Sequence, residues 1–326
     1  MIKMNGKLVI SSSPHVRTIQ SVQSIMIDVL IALGPVALVA VLLFGKQALI
    51  TMAVGMGAAM LTEALWLRRW NIFGDGSAAV TGLLLAMTLP ANVPWWIPVI
   101  GAAAAIIIGK QLYGGIGQNI FNPALVGRAI LVFSWGSRLS GKIWPVPKPF
   151  HFFADISAVT TATPLAGEAE AMEVSLSQLL IGNMAGCLGE TSAIALIFGA
   201  FWLFYKGHID WRIPGGYLAT VWIMGTLLGG GIYINPYMTG LFHLLTGGVL
   251  LGALFMATDM VTSPVTPSGK LIFGVGCGLI TMLIRLYGAY PEGVTFAILT
   301  MNALTPLIDK FTIPRKFGEV KRLVRP

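Results

Sequence analysis

The chain has 326 residues, of which 56% are hydrophobic and only 10% are charged. Soluble domains carry about 25% charged residues, so this composition excludes an ordinary soluble enzyme and indicates a polytopic membrane protein. The net charge of +8 does not indicate a nucleic-acid partner, because the basic residues gather at the chain ends and in short polar segments, where they set orientation in a bilayer.

The first polar segment, residues 1–21, is followed by an apolar run that is too long for the core of a cleaved signal peptide, so we expect this segment to stay on the chain. Cys187 and Cys277 are single cysteines flanked by apolar residues, which excludes paired-cysteine iron–sulfur sites and a disulfide framework. We interpret both as packing residues. The four histidines are scattered without the spacing of a metal site, so no metal is predicted.

Apolar runs measured against the roughly 20 residues that cross a bilayer predict about ten transmembrane helices in two groups of five. The first group is predicted at 22–44, 48–67, 77–89, 95–109 and 120–135, and the second at 190–205, 215–232, 241–258, 271–287 and 293–308.

Two short stretches occur once in each group. GLLLAMT (Gly82 to Thr88) resembles GALFMAT (Gly252 to Thr258), and KQLYGG (Lys110 to Gly115) resembles IRLYGA (Ile284 to Ala289). A duplicated unit with an odd number of spans gives inverted repeats, which place ligands near the membrane midplane where short helices meet. The fold class expected is therefore an all-α membrane protein with two inverted five-helix repeats. The alternative is chance similarity between apolar stretches.

Lys and Arg residues predict the orientation, because most of them fall on one side when both termini are cytoplasmic. The one long connection then lies outside. The expected organisation is a cytoplasmic segment (1–21), a first repeat (22–135), an extracytoplasmic loop (136–189), a second repeat (190–308) and a basic cytoplasmic tail (309–326).

Four charged residues fall inside predicted spans, where each costs about 2.5–3.5 kcal/mol on the insertion scale. They are Asp28, Glu63, Arg128 and Arg285. One interpretation is that they form an ion path or bind a charged ligand, and the other is that they pair with residues of neighbouring helices. Glu63 and Arg285 are near span ends, so their side chains can also reach the membrane–water interface. Asp28 is the candidate for an ion path.

The Gly-rich stretch 109–130 leads into a predicted helix at Asn122 and Pro123, which read as an N-cap and a first helical residue. Such a helix start can hold an anion, a phosphate or a polar ring. The spacing fits neither a Walker loop nor a dinucleotide fingerprint. Tight helix packing through glycine is the alternative.

The stretch GETS (Gly189 to Ser192) places Glu190 and Thr191 at the predicted start of the second repeat. Helix capping is the simpler interpretation of both residues, and contact with a bound cofactor is the functional one.

Several segments together resemble the D subunit of the Rnf ion-translocating oxidoreductase complex and, more distantly, the B subunit of the Na⁺-pumping NADH:quinone oxidoreductase. The resemblance extends over nearly the whole chain in the same order. The segments are SSSPHVR (11–17), GDGSAAVTGLLLAMTLP (74–90), PWW (94–96), GKQLYGGIGQNIFNPALVGRA (109–129), TATPLA (161–166) and GETS (189–192).

The resemblance implies a subunit of a bacterial or archaeal cytoplasmic-membrane complex that moves electrons between ferredoxin and NAD⁺ and couples them to Na⁺ or H⁺ translocation. The implied fold is urea-transporter-like. The implied partners are the other Rnf-type subunits (A, B, C, E and G), a flavin transferase and membrane lipid.

In this family FMN is bound covalently, through its phosphate, to the Thr that ends an [S/T]GAT motif on the outer side. Carried over, the acceptor is Thr163, the last residue of TTAT. Thr161 replaces the usual Gly, and Ser157 replaces an Asp that is found here at Asp155. The family also implies a second, non-covalent flavin, riboflavin, which no motif places. Further candidate cofactor contacts are Arg128, Asn122, Glu190 and Thr191.

Two other functions remain open from the sequence. Five plus five inverted spans are also the architecture of passive urea-type and ammonium-type channels, and a structural subunit that has lost its flavin is a further possibility. Covalent flavin separates the first hypothesis from both, because neither a channel nor a scaffold needs it.

Overall fold

The computed structural model describes residues 20–68, 73–139, 144–147, 149, 160–161, 176–182, 184–190, 192–229, 235–288 and 293–314. Within these residues the protein is a bundle of apolar helices with one antiparallel pair of two-residue strands. The expected class, an all-α membrane protein, is confirmed at this level. The domain boundaries stay predictions.

The first group of helices contains α1 (Val22–Leu67), α2 (Ser77–Met87), α3 (Trp96–Ile107) and α4 (Pro123–Leu139). The 46 residues of α1 would measure about 69 Å as one straight helix, more than twice the roughly 30 Å of a bilayer core. Gly45 interrupts the helix with φ 60° and ψ −144°, a conformation that essentially only glycine adopts. The break falls between the predicted spans 22–44 and 48–67.

Between the two groups the chain forms short elements. These are β1 (Trp144–Pro145), β2 (Thr160–Thr161), α5 (Leu176–Ile181) and a 3₁₀ turn at Leu188–Glu190. Thr161 pairs with Trp144 and Thr160 with Pro145. Thr163 and Thr191 lie outside the described residues.

The second group contains α6 to α11, and it corrects two sequence expectations. The helices are α6 (Ala193–Tyr205), α7 (Arg212–Leu228), α8 (Pro236–Leu245), α9 (Val249–Met256), α10 (Pro267–Tyr287) and α11 (Val294–Thr312). The predicted span 241–258 is not one continuous helix: α8 and α9 meet at a 64° bend, because Gly247 and Gly248 both have positive φ. A helix start at Glu190 is also wrong, since Ser192 caps α6 and Glu190 lies in the preceding turn.

In the described part of the chain, three helical segments are long and apolar enough to cross a membrane. They are Val22–Leu67, Trp96–Tyr113 and Pro267–Tyr287, and the bent pair α8–α9 makes a fourth. The helices α2 and α6 are apolar but shorter. The count of ten spans therefore stays a prediction.

The four helix starts of the first group recur in the second group after 171 or 172 residues. Val22 and Ala193 are 171 residues apart, and so are the first residues of α3 and α10 and of α4 and α11. The first residues of α2 and α9 are 172 apart. Ser21 and Ser192, which cap the first helix of each group, accept backbone N–H groups in the same way. The two groups thus share their helix register.

Close glycine contacts hold corresponding helices together in each group. A Cβ on Gly127 of α4 would lie 2.6 Å from the Gly101 carbonyl oxygen of α3, and one on Gly82 of α2 would lie 2.5 Å from the Gly55 carbonyl oxygen of α1. In the second group, Gly240 of α8 meets the backbone of α7 at Trp222 in the same manner. These positions have no room for a larger residue.

Candidate cofactor cavity and its polar surroundings

A cavity lies at the end of the helix bundle where α1 begins, and it encloses about 860 Å³ of space that includes its opening to solvent. Both groups of helices line it: Ile25 and Met26 come from α1, Leu84 from α2 and Phe255 from α9. These side chains make part of its wall apolar. Its polar lining includes Ser77, Thr81, Lys110, Asn122, His208 and Asp259.

Asn122 joins the two groups beside this cavity. Its Oδ1 accepts the backbone N–H of Ala124 at 3.0 Å, so the predicted capping of α4 is confirmed. Its Nδ2 donates to the Met256 carbonyl oxygen at 3.1 Å, where α9 ends. The same side chain therefore fixes the start of one helix against the end of another.

Lys110 is the polar residue whose environment differs most from expectation. It lies between the predicted spans 95–109 and 120–135, where a charged side chain would be expected in water, but its side chain is only 3% exposed. Its Nζ lies 2.5 Å from Glu63 Oε1 and 2.5 Å from Ser77 Oγ. Ser77 in turn donates to Asp75, and Gln111 donates to Glu63. A buried chain of hydrogen bonds thus runs along the cavity wall.

Glu63 is accordingly paired between helices rather than exposed at the interface. The sequence offered one signal for this contact, a charged residue inside a predicted span that needs a partner. It did not show that the partner is Lys110, 47 positions along the chain.

Asp28, the candidate for an ion path, pairs with His208 and Lys206 near the cavity. Its Oδ2 lies 2.9 Å from His208 Nε2, and its Oδ1 lies 3.5 Å from Lys206 Nζ. His208 lines the cavity, so Asp28 lies directly behind a lining residue. The pairing interpretation of Asp28 fits these contacts, and its role in an ion path stays a prediction.

Asp259 lines the cavity from the segment that follows α9. Its carboxylate accepts the Val261 N–H at 3.4 Å and the Thr262 hydroxyl at 3.1 Å. Burial raises the pKa of this carboxyl above its ordinary value, although both hydrogen bonds oppose the shift. Sequence reasoning missed this residue; the available signal was a lone acid directly after an apolar helix.

A smaller chamber of about 320 Å³, measured with its opening, lies beside the cavity. Ala124 and Phe255 line the cavity, whereas the adjacent residues Leu125 and Met256 line the chamber. Neighbouring residues of α4 and of α9 thus line the two spaces and form part of the barrier between them.

Glu190 lines the chamber and is 9% exposed. Its Oε2 accepts the Cys187 N–H at 3.4 Å. A Cβ on Gly248, the residue before α9, would lie 3.2 Å from Glu190 Oε1. The carboxylate therefore lies beside the N-terminus of a helix that has no side-chain cap, a favourable position for a negative charge.

Arg128 is buried on the same side of the barrier, with 1% of its surface exposed. Its Nη2 lies 3.5 Å from the Leu139 carbonyl oxygen and 3.8 Å from Cys187 Sγ. Cys187 also packs with Trp144, whose backbone pairs with Thr161. A continuous set of contacts thus joins Arg128 to the segment just before Thr163.

Arg285 has a structural role at the α8–α9 bend. Its guanidinium donates to the carbonyl oxygens of His243 at 2.6 Å, Thr246 at 2.8 Å and Gly247 at 3.0 Å. These carbonyl groups lose their helical partners where α8 ends. Interhelical pairing is therefore the interpretation that the structure favours for this residue.

The structure divides the candidate cofactor contacts between two places. Asn122 lies at the cavity, whereas Arg128 and Glu190 both contact Cys187 on the far side of the barrier. Among the described residues no three His, Cys, Asp or Glu side chains are close enough to hold a metal ion.

Comparisons with known proteins show which family the chain resembles over nearly its whole length. The model of the "NQR2, RnfD, RnfE family" matches residues 9–318. The chain is 46% identical to the D subunit of the Na(+)-translocating ferredoxin:NAD(+) oxidoreductase complex of Acetobacterium woodii, with 96% of each chain covered. It is also 46% identical to the D subunit of the proton-translocating ferredoxin:NAD(+) oxidoreductase complex of Clostridium ljungdahlii, covering 95% of this chain and 96% of that one. Identity to the D subunit of the ion-translocating oxidoreductase complex of Stutzerimonas stutzeri is 40%, covering 93% and 94%.

Proposed function

We propose, because the chain belongs to the NQR2, RnfD, RnfE family, that it is the membrane-embedded D subunit of an ion-translocating ferredoxin:NAD⁺ oxidoreductase complex. The observation that carries the proposal is the match to relatives named as the D subunit, over nearly the full length of both chains. The other Rnf-type subunits are then its partners, and electron transfer through the complex drives Na⁺ or H⁺ across a bacterial cytoplasmic membrane.

The proposed membrane arrangement is ten spans in two inverted, urea-transporter-like repeats of five, with both termini cytoplasmic. The recurrence of helix starts at 171 residues supports the repeats. Inverted repeats meet at discontinuous helices, and the short helix α2 and the bent pair α8–α9 are consistent with that role. In this arrangement the cavity opens to the cytoplasm and the strand pair lies outside.

The proposed covalent cofactor is FMN, held by an ester between its phosphate and the Thr163 hydroxyl. A flavin transferase needs an accessible hydroxyl, and the tether then supplies a high effective concentration of flavin. Arg128 is connected to this segment through the contacts of Cys187 and Trp144, and it would favour the negative charge of a phosphodiester. Bound FMN supplies electron transfer; the protein determines its position.

The proposed site of the non-covalent flavin is the cavity. Like typical small-molecule sites, it combines a largely apolar wall with a few polar groups. The apolar wall of Ile25, Leu84 and Phe255 suits a ring system, and Lys110 and Asn122 offer polar contacts. Lys110 is already paired with Glu63, so the described lining fits an uncharged flavin such as riboflavin better than one that carries a phosphate.

The mass of the intact, purified chain tests the covalent assignment. We expect an added mass of roughly one FMN less one water, because ester formation releases water. Thr163→Ala should remove the adduct, and Thr160→Ala, three residues earlier in the same segment, should keep it. Absence of the adduct in a host that contains the transferase would reject the covalent assignment.

A passive channel is the second candidate function, because neighbouring residues of α4 and α9 line both the cavity and the chamber. Flux of urea or ammonia through liposomes that contain the flavin-free protein would favour it. A scaffold without flavin, the third possibility, is favoured only by Thr161 in place of the motif's Gly. It would show neither flux nor adduct.

A further inference from the structure

We propose that the Asp259 carboxylate binds one monovalent cation, a proton or Na⁺, when negative charge enters the cavity. The inference rests on the proposed function, since it assigns the cavity an occupant that accepts electrons. It adds a residue that couples this occupant to the ion that the complex moves.

The position of Asp259 suits exchange with solvent. It lies between α9 and α10, directly after Thr258, and both residues line the cavity. Asp259 is half-buried, and its neighbour Met260 is exposed. A cation can therefore reach the carboxylate from the opening of the cavity without passing through the helix bundle.

Asp259 differs from the other acids around the cavity in its partners. Glu63 pairs with Lys110, and Asp28 pairs with His208 and Lys206. Within the described part of the chain, the Asp259 carboxylate accepts hydrogen bonds from two neutral groups and forms no ion pair. It is thus a partly buried carboxylate whose charge no protein cation in that part balances.

Charged groups that share the cavity do not supply this missing charge. Lys110 and His208 are the lining residues that can carry a positive charge, and each already contacts a carboxylate. Asp75, at the end of the hydrogen-bond chain, accepts from Ser77. A partly buried carboxylate in this situation is stabilised by taking up a cation, and the raised pKa of Asp259 agrees with that expectation.

Negative charge in the cavity strengthens the binding, because like charges in a low-dielectric space repel and a bound cation removes the repulsion. For each electron that arrives from a reduced partner in the complex, one H⁺ or Na⁺ comes from the solvent. When the electron leaves, the cation is released. No covalent bond other than the carboxyl O–H, in the case of a proton, forms or breaks.

The same site can serve either ion, since oxygen ligands bind both and small changes in their surroundings decide the preference. Two relatives that are each 46% identical to this chain are named for different ions, Na⁺ in one and protons in the other.

The first test measures the midpoint potential of the non-covalent flavin in the purified complex. Wild type, Asp259→Asn and the control Asp309→Asn are compared; Asp309 is an acid whose carboxylate accepts the Val265 N–H. One series varies pH without Na⁺, and the other varies Na⁺ at fixed pH.

A coupling of one cation per electron shifts the potential by about 59 mV for each tenfold change in that cation. We expect Asp259→Asn to lose this contribution in the pH series if the ion is a proton, or in the Na⁺ series if it is Na⁺. Asp309→Asn should keep it. If Asp259→Asn keeps the wild-type dependence in both series, the proposal is wrong.

A second test does not need the flavin. Infrared difference spectra of the full-length protein are recorded while pH or Na⁺ is changed, and the carboxyl band that responds should be absent in Asp259→Asn. A response identical in the variant would overturn the proposal. Flavin extraction from the wild-type complex separately tests whether the cavity's occupant exists, so the two failures can be distinguished.

Discussion

Asp28 and His208 lie 2.9 Å apart, Oδ2 to Nε2, and join the beginning of α1 to the segment after α6. The first helix of one group is thereby tied to the first helix of the other. His208 also lines the cavity, so this contact fixes part of the cavity wall.

Replacing Asp28 should therefore affect both stability and transport. We expect Asp28→Asn to lower the free energy of unfolding by about 1–3 kcal/mol, because it removes a charged hydrogen-bond partner of His208 and Lys206. Ion uptake by vesicles that contain the complex should fall more than flavin content. Asp309→Asn is the control, and unchanged ion uptake in Asp28→Asn would remove Asp28 from the ion path.

Covalent flavin should be visible in the denatured protein. We expect yellow-green fluorescence of its band after gel electrophoresis, since an ester bond survives denaturation and non-covalent flavin does not. Thr163→Val should abolish the emission, and Thr160→Val should not. Emission that persists in Thr163→Val would move the acceptor to Thr160 or Thr161.

The Lys110–Glu63 pair should show strong coupling. Lys110→Met leaves the Glu63 charge without its cation in a largely buried site, so we expect a loss of about 3–5 kcal/mol in unfolding free energy. Combining Lys110→Met with Glu63→Gln should recover much of the loss. The check is a double-mutant cycle by chemical denaturation in detergent; additive effects of the two changes would show that the pair is not coupled.

Helix contact at Gly127 should tolerate no side chain. Gly127→Ala places a methyl group 2.6 Å from the Gly101 carbonyl oxygen, and overpacking of this kind costs about 1–3 kcal/mol. Gly57→Ala is the matched control, because no atom lies within 4 Å of its Cβ position in α1. Thermal unfolding should show a lower Tm for the first variant and an equal or higher Tm for the second.

Acid should weaken the contact that joins α7 to α10. Burial raises the pKa of Asp210, but hydrogen bonds from the Arg212 N–H and from Lys270, together with their charges, outweigh it and hold the pKa below its ordinary value. A lowered carboxyl pKa contributes stability that is complete above about pH 4 and disappears as pH falls through the lowered pKa. Asp210→Asn should lack this component. Unfolding measured between pH 6 and pH 3 checks it, and parallel curves for both proteins would contradict it.

One feature of the cavity wall was predictable from the sequence. Asn122 before Pro123 predicted the capped start of α4, and the structure places that start at the cavity. Capping is a local signal, since the groups involved lie within three residues. Asp259 gave no such local signal, because its importance depends on which charged side chains lie near it in the folded protein.

The bend between α8 and α9 could not be predicted from the length of the apolar run. The run 241–258 is mostly apolar and predicts one span, although Gly247 and Gly248 adopt positive φ there. Glycine permits this conformation without requiring it. Arg285, about 40 positions later in the chain, supplies the hydrogen bonds that hold the bend.

Composition, run lengths and motif order by themselves determined that this is a membrane protein of the NQR2, RnfD, RnfE family, and they located most helix starts, because these properties depend on neighbouring residues. Only the tertiary structure decided that Lys110 is buried against Glu63 and that Asn122 lies apart from Arg128 and Glu190. It also decided that Asp259 faces the cavity without a cation partner in the described part of the chain. Contacts between distant positions depend on how helices pack, and one sequence does not specify its packing partners residue by residue.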